Sequence, residues 1–353
     1  MLREGLIINK KINKMTNRLE NSTLYPVPKE GCSLWMDEIG GVMGLGQEGT
    51  YEIDPDKVKV EYPTPKLRSS DAQSAIALRR KRFEEGGGKI QNNNYLTITR
   101  TPYLNKAGEI VIKRELSDFP TWHFSKFMGD GLDGEFALED RDLSFYISVF
   151  PITSDGKIII PNRTDKRVDY KGLFCFTGGY GREKDIPHNL LTCESEMLKD
   201  GTGNGLIRQI EMVPVDQYGL GSVEEAEKYV KESKLLGMLA TSTRTSGKVR
   251  ELGHHLAGFA KLNIDSQQII ETANEKYRKD NFGRFVEIGK QNVFENDPEP
   301  LVDFANEMTQ KYFGKGDEKS PSLAPTQIPL IWLAIANQFG GKYLDKIEGL
   351  ERN

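Results

Sequence analysis

Three cysteines in 353 residues, Cys32, Cys175 and Cys193, are too few and too scattered for a disulfide framework. No CxxC pair suggests a zinc site either, which fits a reducing compartment. Long hydrophobic runs are also missing. Near the N-terminus "GLII" is far shorter than a signal-peptide core, and no apolar stretch approaches a membrane span. A soluble, cytoplasmic protein with no membrane partner is the expectation. Nor is there an excess of one charge: 48 Lys and Arg stand against 52 Asp and Glu, a net charge of −4. That balance gives no general attraction to nucleic acid, so no nucleic-acid partner is expected. The first twenty residues are locally basic (Arg3, Lys10, Lys11, Lys14, Arg18) and read as a solvated tail. Met15 is an alternative start, because the fourteen residues before it carry no clear pattern.

Several catalytic signatures are absent as well. No Ser-His-Asp order, no G-x-S-x-G elbow and no G-x-G-x-x-G after a strand occurs, and Cys193 has no activating neighbour in sequence. "KDGTGNGL" (199–206) lacks the Gly-Lys-Ser/Thr ending of a P-loop and reads as a link between helices. "GDGLDGEFALEDRD" (129–142) has the composition of a calcium loop without its alternate-position ligands, and reads as a solvated loop. Trp122, Phe124 and Phe127 read as core aromatics. In "RELGHHLAGF" (250–259) a strand would send His254 and His255 to opposite faces, so a shared zinc ion is not expected.

Apolar residues make up 37% of the chain, enough for a sizeable core, and the length suggests two or so compact units. Residues 1–50 are poor in periodicity. Residues 51–140 read as a small α+β region, with a helix over "SSDAQSAIALRRKRFEEGGGK" capped by Ser70 or Asp71 and a hairpin of "NYLTITRTPY" and "EIVIKREL". From 141 to 291 the pattern is mixed α/β. "LSFYISVFPI" is apolar enough for a strand buried on both faces; "TSDG" turns it, and "KIIIPNR" returns. "GLFCFT", "SKLLGMLATSTR" and "HHLAGFAKLNI" are further strands, "RFVEIG" is a last short one, and "VEEAEKYVKE" is a helix. Residues 292–353 hold two amphipathic helices, "EPLVDFANEMTQKYF" and "QIPLIWLAIANQFGGKYL".

One stretch carries a more specific pattern. A hairpin with "SDGKIIIPNR", a strand running into Gly178-Gly179 and then acids on a helix resemble the Nudix domain, over roughly 143–289. The resemblance implies a mixed-sheet α/β/α sandwich. It also implies a box, G-x5-E-x7-R-E-U-x-E-E-x-G-U, whose glutamates hold Mg²⁺ or Mn²⁺ against a diphosphate. Such cations neutralise the phosphates and activate a water, which carboxylates one helical turn apart permit.

The box departs from the family pattern in every frame. Strict spacing from Gly179 puts Asp185 in the slot of the first glutamate and Cys193-Glu194 in the Arg-Glu slots, with Met197 and Leu198 where the metal-binding pair should be. Sliding by two puts Glu196 and Asp200 in glutamate slots, with Ser195 replacing arginine. An insertion of about fifteen residues, read against the family spacing, makes "LIRQIEMVPV" the box helix. Arg208 and Ile210 then match, but Gln209, Met212 and Val213 occupy the glutamate positions, and Pro214 limits the helix. A helix over "DIPHNLLTCESEMLKDG" would carry Glu194 on its apolar face and turn Glu196 and Asp200 away.

What the resemblance implies for function is binding of a small-molecule nucleotide, a nucleoside diphosphate linked to another moiety, and its metal-dependent hydrolysis. In that version Asp185, Glu194, Glu196 and Asp200 are the metal-side acids. Glu194 and Glu251 are the catalytic carboxylates, Gly178 and Gly179 shape the loop, and Arg208 neutralises phosphate. The alternative is a catalytically silent Nudix-fold module that binds a nucleotide or a protein.

Overall fold

The computed structural model describes residues 34–35, 51–61, 68–87, 94–98, 102–118, 121, 124–125, 144–164, 172–179, 203–245, 248–280, 283, 285–312, 322–324 and 327–352. At its centre lies a mixed four-stranded sheet. Strand β6 (Ser144–Ile152) runs parallel to β10 (Lys248–Leu262), pairing Ser144 with Gly253 and Ile152 with Lys261. Strand β9 (Val230–Thr245) pairs antiparallel to β10, and β8 (Thr177–Gly179) antiparallel to β6, giving the order β8-β6-β10-β9.

Alternation along β6 decides what covers each face. Ile147 and Val149 point into a core shared with helix α2 (Asn204–Tyr218) and helix α4 (Ser266–Lys279). Phe150 and Ile152 point the other way, into a core shared with α5 (Pro298–Tyr312) and α6 (Ile328–Phe339). The sheet therefore lies between two helical layers, an α/β arrangement in which the C-terminal helices form the second layer.

The smaller N-terminal sheet has the order β2-β5-β3, with β2 (Val58–Glu61) parallel to β5 (Ile110–Asp118) and β3 (Asn94–Ile98) antiparallel to it; β4 (Tyr103–Leu104) also pairs with β5. Ile53, Val58, Val60, Ile110 and Ile112 join the core of α2, so this sheet extends that layer. Helix α1 (Ser70–Glu85) is capped by Ser69, one residue earlier than expected, whose Oγ accepts from Ala72 N at 3.2 Å. Its apolar face is small, with Ala72 and Ile76 against Phe124, while Phe83 stays half-exposed with its edge on Phe124. A two-residue antiparallel pairing joins β1 (Leu34–Trp35) to β12 (Glu351–Arg352).

Five segments depart from their sequence patterns. In "GLFCFT" Phe174 makes only isolated bridges, to Asn162 and Leu323, and strand β8 begins at Thr177. "KIIIPNR" does not return along β6: β7 (Lys157–Ile159) pairs with β11 (Val293–Glu295), and the turn before it is held by Thr153 and Asp155. "RFVEIG" contributes a single bridge, Phe285 to Arg163, rather than a strand. The "VEEAEKYVKE" helix is a 3-10 turn (Val223–Glu225) running into α3 (Ala226–Tyr229) and stops there, because β-branched Val230 already begins β9. Helix α6 is buried on every side from Ile328 to Ala336, not on one stripe, because it lies beneath α5 and on the sheet.

Candidate functional site

The glycine pair lies within the ladder of β8 and does not form a turn. Gly178 faces Ser148 and Gly179 faces Ile147. A Cβ on Gly178 would sit 2.8 Å from the Ile147 carbonyl oxygen, so close strand approach, rather than positive φ, requires glycine there. Beyond Gly179 the antiparallel strand is headed toward the end of the sheet where β6 and β10 begin. Glu251 occupies β10 at that same end, in register with Thr243 and two positions before Gly253. Asp185, Glu194, Glu196 and Asp200 lie outside the described residues, as do Trp122 and Phe127.

The segment "LIRQIEMVPV" is helical, as the third frame expects, and continues through Pro214 to Tyr218. Proline removes one helical hydrogen bond, but the turn after it buries Val215 and Tyr218, whose Oη donates to the Ile159 carbonyl at 2.8 Å. Helix α2 lies hard against the sheet at Gly258, where a Cβ would come 2.6 Å from Ile210 Cγ1. Gln209, Met212 and Val213 are 2%, 4% and 3% exposed, with Met212 and Val213 inside the apolar core. Hard divalent cations take oxygen ligands that reach a hydrated site. A thioether, an isopropyl group and a sealed amide do not meet that need, so α2 does not fit the metal its frame implies. Among the described residues, no three His, Cys, Asp or Glu side chains converge as ligands.

Arg208 projects from the outer side of α2. Its guanidinium pairs with Glu211 at 3.4 Å and donates to the Glu224 carbonyl at 3.0 Å, while Glu211 accepts from Ser233 Oγ at 2.9 Å. These partners tie Arg208 to the start of β9 rather than to Gly178 and Gly179.

On the opposite face of the sheet, His255 Nδ1 and Ser148 Oγ lie 3.3 Å apart with both residues fully buried. Burial holds the His255 imidazole well below the ordinary histidine range, so it stays neutral. Neither group is open to a substrate, and a core role follows despite the Ser-His pairing.

Sequence reasoning missed a cleft of about 390 Å³ at the carboxyl ends of β6 and β10. Crevices at the carboxyl ends of parallel strands are where open α/β sheets take ligands. Its floor is Ile152 and Phe259; Asn337, Gln338 and Phe339 close it from the end of α6. Lys234 stands across the ladder from Phe259, and Lys261 across from Glu232. A strap from the N-terminal region crosses the edge of β9, with Ile53 N donating to the Leu235 carbonyl at 2.7 Å. From that strap Glu52 accepts from Lys234 at 2.6 Å and from Asn337 at 2.9 Å. Burial alone would raise the Glu52 carboxyl, but the hydrogen bonds from Lys234 and Asn337 outweigh it and hold the group below the ordinary carboxylate range. The sequence signal was faint: a lysine two residues after a phenylalanine in one strand, with a lysine across from that phenylalanine in the next.

Among the described residues, no helix is long and apolar enough to cross a membrane. No family model matches the chain, and no curated protein matches it.

Proposed function

We propose that the chain is a Nudix-like binding module for a nucleoside diphosphate linked to another moiety, and that α2 supplies it with no catalytic metal site. The observation that carries this reading is the burial of Gln209, Met212 and Val213 in the helix whose hydrophobic pattern best fits the box. A layered sheet with α2 pressed onto one face supports the architecture. Gln209, Met212 and Val213 at the glutamate slots support binding without turnover, since none of the three can hold a divalent cation or take a proton from water.

Titrating the protein with ADP-ribose, with and without Mg²⁺ or Mn²⁺, and following release of phosphate-bearing products tests it. Binding that survives chelation, with no products, is the expected result. A second reading keeps hydrolysis, and one observation favours it: β10 carries Glu251 at the sheet end toward which the chain leaves Gly179. In that reading Asp185, Glu194, Glu196 and Asp200 hold Mg²⁺ or Mn²⁺ and Glu251 serves as base. Turnover lost both on chelation and in Glu194→Gln would establish it and overturn the silent module.

A further inference from the structure

We propose that the cleft at the carboxyl ends of β6 and β10 binds a small planar molecule carrying a single negative charge, with Lys261 as its charge partner. This goes beyond the diphosphate reading and does not rest on it. The volume, about 390 Å³, lies in the range of small-ligand sites. Buried Phe259 and the ring of Phe339 offer apolar surface to a flat ring.

Charge decides the rest. Lys234 is held by Glu52 at 2.6 Å and by Glu232 at 3.2 Å, a cluster with one cation and two carboxylates. The hydrogen bond that Lys234 donates to Glu52 raises the Lys234 ammonium above the ordinary lysine value against the opposing effect of burial, so that cation is committed to its partners. Lys261 faces Glu232 across the ladder, yet the Glu232 carboxylate pairs with Lys234. Partly buried in the cleft wall, the Lys261 ammonium makes no hydrogen bond or ion pair among the described residues. One charge on a ligand satisfies this ammonium, whereas a multiply charged phosphate would meet Glu52 and Glu232 as well. An aromatic carboxylate and a cyclic nucleotide phosphodiester share that chemistry.

Isothermal titration calorimetry on the full chain at low salt, using benzoate and 3′,5′-cyclic AMP as probes, separates the two sources. Binding of either probe by the unmodified protein is expected, and the one bound identifies the source. Lys261→Met should weaken binding about tenfold and Lys261→Arg should retain it, because the charge and not the stem is what acts. Glu232→Gln, at an exposed carboxylate that no core contact needs, should tighten binding about threefold by lifting repulsion. No heat with either probe at roughly ten millimolar, a range in which even very weak complexes form, would overturn the site. So would unchanged affinity in Lys261→Met, or no tightening in Glu232→Gln.

Discussion

On the face of the central sheet covered by α2, contact is apolar and close, with Gly258 admitting Ile210 and with Met212 and Val213 sealed inside. Under α6, the opposite face mixes apolar residues with Ser148, His255 and Gln327, and opens at one end onto Lys234 and Lys261. Both faces stabilise the fold by excluding water, and the second also opens into a cleft whose wall carries charged groups. The resemblance placed chemistry beside α2, and the geometry has absorbed that helix into the core. A helix that matches a catalytic box in its hydrophobic pattern need not match it in function, since the pattern records burial alone.

The sharpest way to break the contrast is to restore acid to the α2 face. Val213→Glu would force a carboxylate into a sealed core, and a loss of at least ~4 kcal/mol in urea unfolding is expected, with no gain of hydrolysis. Next comes Gly258→Val: Ile210 and the helix above it have no room to retreat, so a loss of about 3 kcal/mol should appear in the same measurement.

A smaller effect belongs to the α6 face. His255 is fully buried with its proton affinity lowered by burial, so below pH of about 6.5 the unfolded chain binds a proton that the folded state refuses. Stability is therefore full above that pH and falls as pH drops, by about 1.4 kcal/mol per unit until the folded group itself titrates. A loss of stability on acidification below pH of about 6.5 is expected, and His255→Gln should flatten that part of the stability profile. An unchanged slope in the variant would assign the proton uptake elsewhere.

Smallest of all should be Glu52→Gln. The carboxylate is partly solvent-exposed, so its bond to Lys234 is screened and its removal should lower stability by less than about 1 kcal/mol. Because the folded Glu52 carboxyl is held below its ordinary range, its contribution is present at neutral pH and disappears as pH falls through that lowered value. A loss of several kcal/mol in thermal unfolding at pH 7 would instead make the strap a principal support of the fold.

The amino-acid sequence by itself determined the elements whose information is local. Strand β6 followed from a run of apolar, β-branched and aromatic residues, α1 from its cap and closing glycines, and the β9–β10 hairpin and α5 from their periodicity. Periodicity also marked α2, because burial of one helical face leaves a signature every three or four residues. Tertiary contact decided everything that depended on which partner a segment met. It drew β7 away to β11, buried α6 on all sides, carried α2 through Pro214 and kept Gly178 inside a ladder where local rules favour a turn. Lys261 and Lys234 came together by strand register, which joins residues far apart in the chain, and no local pattern encodes the long-range pairing that sets it.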